Sequence, residues 1–195
     1  GNLPLCKWAH GQVVARRLDM TLQLGTAAVD MYAKCGLVSY AWRLFERMPA
    51  WNVWTWSAMI QGFAQNGLAG EALKLFERMR GASVAPNYVT FLGLLCACSH
   101  AGLVDEGRQF FHEMRHVYKI EPMMKHYSAM VDVLGRNGRL QEAYDFVMDM
   151  PLEADPVVWR TLLGACQMHS SKDCIDIVSK VQERLLELEP KRSGN

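Results

Sequence analysis

No stretch of the sequence approaches the ~18 consecutive apolar residues of a membrane span, which excludes a helical membrane anchor within it. Net charge is also scarce. The 21 basic residues nearly cancel 20 acidic ones and leave a formal charge of +1, so no bulk field draws the chain to nucleic acid or to an anionic bilayer. Any such binding has to come from placed side chains. The six cysteines (Cys6, Cys35, Cys96, Cys98, Cys166 and Cys174) lack the paired spacings of a disulfide framework, and their apolar surroundings predict reduced, buried thiols in a reducing compartment. Cys96, Cys98 and His100 place two sulfurs and an imidazole close together, but positions two apart on a helix face different ways. No further ligand pair follows at zinc-finger spacing, so no metal and no cofactor is expected. Gly135 and Gly138 follow no strand and make no phosphate cradle. The first residue, Gly1, is followed by no basic signal region, so a targeting peptide is expected to lie outside this stretch.

What is present is apolar material, 50% of all residues, which is ample for a continuous core and excludes disorder as the general state. It is arranged as a repeat. Four segments align, beginning VDMYAKCG at Val29, MIQGFAQNG at Met59, LLCACSHAG at Leu94 and MVDVLGRNG at Met130. Their shared glycines are Gly36, Gly67, Gly102 and Gly138, at intervals of 31, 35 and 36 by subtraction. Met48, Met79, Met114 and Met150 keep the same intervals, as do the small residues Ala41, Ala72, Gly107 and Ala143. Unequal intervals kept in step by three residue series identify a repeat whose units differ in length.

Each shared position has a physical role. The glycine separates two stretches of helical periodicity, where a left-handed residue ends one helix and turns the chain. First helices are predicted over Thr26–Lys34, Ser57–Gln65, Leu92–His100 and Ser128–Arg136, and second helices over Val38–Met48, Ala69–Arg80, Val104–Arg115 and Leu140–Met150. In the second helix Ala72, Leu75, Phe76 and Met79 fall at i, i+3, i+4 and i+7, one apolar stripe with a small residue at its head. Pro49, Pro86, Pro122 and Pro151 follow the second helices and stop them. A helical hairpin of this kind cannot bury its own apolar face, so end-to-end stacking is expected and the fold class is all-α. Leu5–Arg17 reads as the second helix of an incomplete unit. Pro156–Met168 and Cys174–Glu189 read as a final pair of helices, with Ser170 where the glycine would stand.

The strings VDMYAKCG, WSAMIQGFAQNG, EALKLFERM, ACSHAGLVDEG, MVDVLGRNGRLQEAYDF and LLELEP resemble the pentatricopeptide repeat (PPR) proteins of plant organelles. Within that family they resemble the PLS class, in which P-, L- and S-type repeats of unequal length alternate. Tetratricopeptide repeats keep a uniform spacing and a different signature. The resemblance implies a right-handed superhelical solenoid of stacked helix–turn–helix repeats. It divides the chain into a partial L-type repeat at 1–21 (second helix only), an S-type repeat at 22–52 and a P-type at 53–87. An L-type repeat at 88–123, an S-type at 124–155 and an E-type extension at 156–195 follow.

The resemblance also implies a function. Proteins of this class are mostly site-recognition factors for cytidine-to-uridine RNA editing in the mitochondrion or chloroplast. In the family, the fifth residue of a repeat and its last residue read one base of single-stranded RNA between them. The pairs carried over are Thr26 with Asn52, Ser57 with Asn87, Leu92 with Met123, and Ser128 with Asp155. The first two match adenine readers and the last a guanine reader, whereas Leu92 with Met123 offers no hydrogen-bonding group and reads nothing. The implied target is A-A-N-G, 5′ to 3′. Short hydroxyl, amide and carboxylate groups suit the edge of an unstacked base. The second position, often a base-sandwiching valine in the family, is here Gln23, Trp54, Val89 and Lys125. Trp54 and Val89 are the stacking candidates, and Lys34, His100 and Arg136, at the ends of first helices, are candidates for phosphate contact.

A zinc deaminase needs His-x-Glu followed by Pro-Cys-x-x-Cys, and neither string occurs. No catalytic residue is therefore expected, nor any small-molecule substrate, and the editing chemistry falls to a DYW-type deaminase elsewhere in the chain or in trans. The family's L repeats often bind accessory proteins of the MORF type, for which Leu92, Met114 and Met123 are suitably apolar. The competing reading is a protein-interaction scaffold that binds such a partner rather than RNA.

Overall fold

A computed structural model of the chain describes residues 21–169 and 174–188, together with positions 4, 8 and 11. The predicted helix Leu5–Arg17 therefore lies outside the described residues. No strand occurs among the described residues. The chain divides into two compact units, Gly1–Ala97 and Cys98–Asn195. The first holds α1 (Leu22–Lys34), α2 (Val38–Arg47), α3 (Val53–Gln65), α4 (Ala69–Gly81) and most of α5 (Tyr88–Ala101). The second holds the end of α5 with α6 (Val104–His116), α7 (Met124–Arg136), α8 (Leu140–Met148), α9 (Pro156–His169) and α10 (Cys174–Leu188).

The second helices begin where the sequence predicts. The first helices begin one turn earlier, at Leu22, Val53, Tyr88 and Met124 instead of Thr26, Ser57, Leu92 and Ser128. At the first three of these starts the missing turn is polar-capped rather than apolar-periodic. Thr21 accepts a hydrogen bond from the Leu24 N–H and Asn52 from the Thr55 N–H. Asn87 accepts from the Val89 and Thr90 N–H groups at 2.9 and 3.0 Å, satisfying donors that a helix start leaves unpaired.

All four repeat glycines have positive φ, from +73° to +81°. At the first turn the Gly36 N–H donates to the Ala33 carbonyl and the Leu37 N–H to the Tyr32 carbonyl, which closes α1. At Gly67 a Cβ would meet nothing within 4 Å, so backbone strain alone sets the effect of a side chain there. Gly67→Ala is expected to lower stability by about 1–2 kcal/mol, to be read as a lower urea midpoint with an unchanged slope.

First helices stack on first helices through small residues. A Cβ on Gly62 of α3 would lie 2.6 Å from the Ala33 Cβ of α1, and one on Gly135 of α7 would lie 2.5 Å from the Ala165 Cβ of α9. Neither glycine has room for a methyl group. The predicted stripe of α4 is the core of the first unit, with Ala72, Leu75, Phe76 and Met79 all buried. In each unit a charged pair ties neighbouring second helices: Arg78 to Glu46 at 2.7 Å in the first, and Arg108 to Glu142 in the second. Arg139 and Arg108 together hold the Glu142 carboxyl below the usual carboxylate range.

Cys96, Cys98 and Cys166 are free thiols. Cys35 departs from the expectation of reduced cysteines, being disulfide-bonded. Trp42 and Trp51 pack inside the first unit. Both stack on Phe45, at 5.5 and 5.3 Å between ring centroids.

Candidate nucleic-acid interface

The early helix starts place Thr26, Ser57 and Ser128 in the second turn of their first helices, beside Asn52, Asn87 and Asp155, which open the next ones. In the first unit this creates an open cavity of about 390 Å³ lined by Gln23, Thr26, Asp30, Asn52, Trp54 and Val89, among others. It joins the predicted pair Thr26 and Asn52 to both stacking candidates. Trp54 is 49% exposed and meets Tyr88 edge-on at 6.1 Å, so its indole is a supported, solvent-facing plate. Val89 lines the same cavity.

The polar side of the cavity is built from hydrogen bonds. The Thr26 hydroxyl oxygen lies 2.8 Å from the Leu22 carbonyl oxygen and 2.8 Å from the Thr55 hydroxyl. Thr55 in turn donates from both its backbone N–H and its hydroxyl to Asn52 Oδ1, each at 3.0 Å. The second pair is also brought together, with the Ser57 hydroxyl 3.2 Å from Asn87 Oδ1 and 2.7 Å from the Thr90 hydroxyl. That pair is closed, however. Ser57 is fully buried, and the Asn87 amide nitrogen is buried with no hydrogen-bond partner. Ser57 in this state is an internal link, because Val53, Asn87 and Thr90 surround its hydroxyl.

In the second unit Ser128 and Asp155 share a cavity of about 360 Å³ with Met123, Met124, Lys125 and Val157. Asp155 Oδ1 accepts from the Val158 N–H at 3.0 Å, and the Ser128 hydroxyl lies 3.3 Å from that of Thr161. Lys125 brings a positive charge to this rim, whereas Asp30 brings a negative one to the other cavity.

Of the phosphate candidates, Lys34 and Arg136 are exposed but paired within their own helices. Lys34 meets Asp30 at 2.6 Å and Arg136 meets Asp132 at 2.9 Å, so each already shares its charge with an acid four residues back. Of the partner-binding candidates, Leu92 is half-buried and Met123 is 49% exposed. Met114 is fully buried in the second unit, so it is core and not a surface offered to a partner. Sequence reading missed Thr55, Thr90 and Thr161, which touch the fifth residues. The signal for Thr55 and Thr90 was their place three residues after Asn52 and Asn87, the register of a helix N-cap.

The PPR repeat family model matches residues 51–100, and a PPR repeat model matches 26–53, 89–116 and 125–153. A pentatricopeptide repeat-containing protein of Arabidopsis thaliana is 45% identical over 194 residues, covering 100% of this chain and 30% of the relative. A chloroplastic one is 47% identical over 188 residues (96% and 23%), and a mitochondrial one 42% identical over 194 residues (100% and 28%). The chain thus spans less than a third of the length of these relatives. Among solved structures, the pentatricopeptide repeat protein PPR10 in complex with an 18-nucleotide psaJ RNA element superposes with a TM-score of 0.70. That match covers 98% of this chain and 33% of PPR10 at 21% identity. The PPR domain of Arabidopsis protein-only RNase P 1, in complex with tRNA, gives a TM-score of 0.65 at 19% identity, covering 86% of this chain and 90% of that domain.

Proposed function

Because the chain belongs to the PPR repeat family, we propose that it binds single-stranded RNA selectively, one base per repeat, as part of an organellar C-to-U editing factor. The observation that carries this reading is the first-unit cavity, where Thr26, Asn52, Trp54 and Val89 converge. It combines a flat aromatic surface with short polar groups, the chemistry that a splayed base requires. RNA is what both solved relatives hold, and relatives of 42–47% identity include chloroplastic and mitochondrial proteins. In this reading the repeats are S-type at 22–52, P-type at 53–87, L-type at 88–123 and S-type at 124–155, with an E-type extension from 156. A DYW-type deaminase supplied elsewhere performs the chemistry, and MORF-type accessory proteins join through the L repeat.

The test is a titration at fixed salt with a fluorescent RNA containing AANG and with a scrambled RNA of the same composition. The proposal expects tighter binding of the first. Equal affinities contradict it and favour a protein-binding scaffold, for which the exposed apolar rim formed by Met123 and Val157 is the available surface.

Trp54→Ala is expected to weaken RNA binding by about 5- to 150-fold, the equivalent of ~1–3 kcal/mol per stacked base. Its effect on folding should be small, since half of the indole already faces water. Parallel RNA titration and thermal denaturation separate the two. Lys34 and Arg136 are paired to acids, so binding should depend weakly on salt. A slope of log K against log salt well above ~1.4, the value for two phosphates neutralised on a single strand, would show that other cations dominate.

A further inference from the structure

The hydrogen bonds behind the reading pairs follow a rule that depends on the last residue of each repeat. Where that residue is an amide, Asn52 or Asn87, the residue three places on is a threonine whose hydroxyl donates to the amide oxygen. The distances are 3.0 Å for Thr55 and 3.2 Å for Thr90. The same hydroxyls reach the fifth residues, Thr26 at 2.8 Å and Ser57 at 2.7 Å. Both threonines are fully buried. Where the last residue is a carboxylate, Asp155, the residue three places on is Val158, which offers only its backbone N–H. Where it is Met123, that residue is His126, whose Nδ1 accepts from the Met123 N–H.

Symmetry accounts for the difference. A carboxylate presents an acceptor oxygen whichever way it is turned, whereas a carboxamide turned by 180° exchanges a donor for an acceptor. We propose that Thr55 and Thr90 are positioning residues that fix the hydrogen-bond polarity of the base-reading amides. Each hydroxyl joins the capping N–H groups in holding the amide oxygen inward, which at the open first junction leaves the NH2 group to face the base. At the first junction the fifth residue is polarised as well: with the Thr55 proton on Asn52 Oδ1, the Thr26 proton bridges the 2.8 Å contact to Thr55, which leaves a Thr26 oxygen lone pair for the base. The pair Thr26–Asn52 thus presents one acceptor and one donor in fixed order, and a freely turning amide would not. At the second junction the buried, partnerless Asn87 amide nitrogen is the donor left over by the same arrangement.

The inference rests on the RNA-binding reading, and the test separates the two. Affinities are measured for RNAs differing only at the base facing Thr26 and Asn52, and for RNAs differing only at the base facing Ser128 and Asp155. The proteins compared are the unmodified chain, Thr55→Val and Thr55→Ser. Thr55→Val keeps the shape and removes the hydroxyl; it is expected to lose about tenfold of the adenine preference at the first position and none of the guanine preference at the second. Thr55→Ser restores the hydroxyl and should restore the adenine preference. A melting temperature and far-UV circular dichroism spectrum close to those of the unmodified chain show that the valine variant is folded. Full adenine preference in Thr55→Val overturns the positioning role alone. Absence of base preference in the unmodified chain overturns the RNA-binding reading and this inference with it.

Discussion

Replacing Asp155 with asparagine is expected to shift base preference at the last reading position from guanine towards adenine. In the structure one carboxylate oxygen caps α9 through the Val158 N–H, at 3.0 Å, and the residue lines the cavity with Ser128. Its second oxygen can only accept, which suits the N–H groups on the Watson–Crick edge of guanine. Asparagine can keep the cap with its oxygen and turn an NH2 group to the base, which suits adenine N1 and leaves the guanine N–H groups unpaired. Discrimination by one such group amounts to ~1–3 kcal/mol, so the ratio of guanine to adenine affinities should fall by about tenfold or more. Because Val158 lacks the hydroxyl that Thr55 and Thr90 add to the capping N–H, Asp155→Asn alone should give a weak adenine preference. The double variant Asp155→Asn with Val158→Thr should give a sharper one. Titration of the three proteins against RNAs ending in G or A checks both steps.

Phe45→Ala is expected to have the largest effect on folding. The ring is fully buried, with Trp42 and Trp51 stacked on it and Trp56 edge-on at 5.3 Å. The Arg78 guanidinium lies 5.5–6.0 Å from the centres of all four rings while paired with Glu46. Removing the phenyl group empties the middle of this cluster, a change worth ~3–5 kcal/mol for a buried phenylalanine. The damage reaches the interface through the chain itself. Trp51 donates its indole N–H to the Phe45 carbonyl at 2.7 Å, and Asn52 is the next residue. Urea denaturation should show the lost stability, and the adenine preference at the Thr26–Asn52 position should fall with it.

The glycine register predicted the left-handed turns because only a turn explains a glycine recurring between two helical periods. The start of each first helix was less readable. Asn52 and Asn87 cap through side-chain oxygens, and a cap leaves no mark on the apolar periodicity used to find helices. Had Thr55 and Thr90 been read with those asparagines as N-cap neighbours, the extra turn and the hydroxyl links would have followed. Met114 shows a reading at odds with its own pattern. It belongs to the series Met48, Met79 and Met114, all buried, and a residue that recurs at the end of an apolar stripe is core. The closure of Ser57 depends on distances to Val53, Asn87 and Thr90 that spacing alone does not reveal. The tryptophans separate by position: Trp42 and Trp51 lie against Phe45, whereas Trp54, in the first turn of α3, faces the cavity.

The most direct measurement is a crystal structure of the chain bound to an AANG-containing RNA. An adenine with its edge against Thr26 and Asn52 beside the Trp54 plate, and a guanine against Ser128 and Asp155, is the predicted result. RNA lying instead along the second helices α2, α4, α6 or α8, with both cavities free of bases, would contradict it.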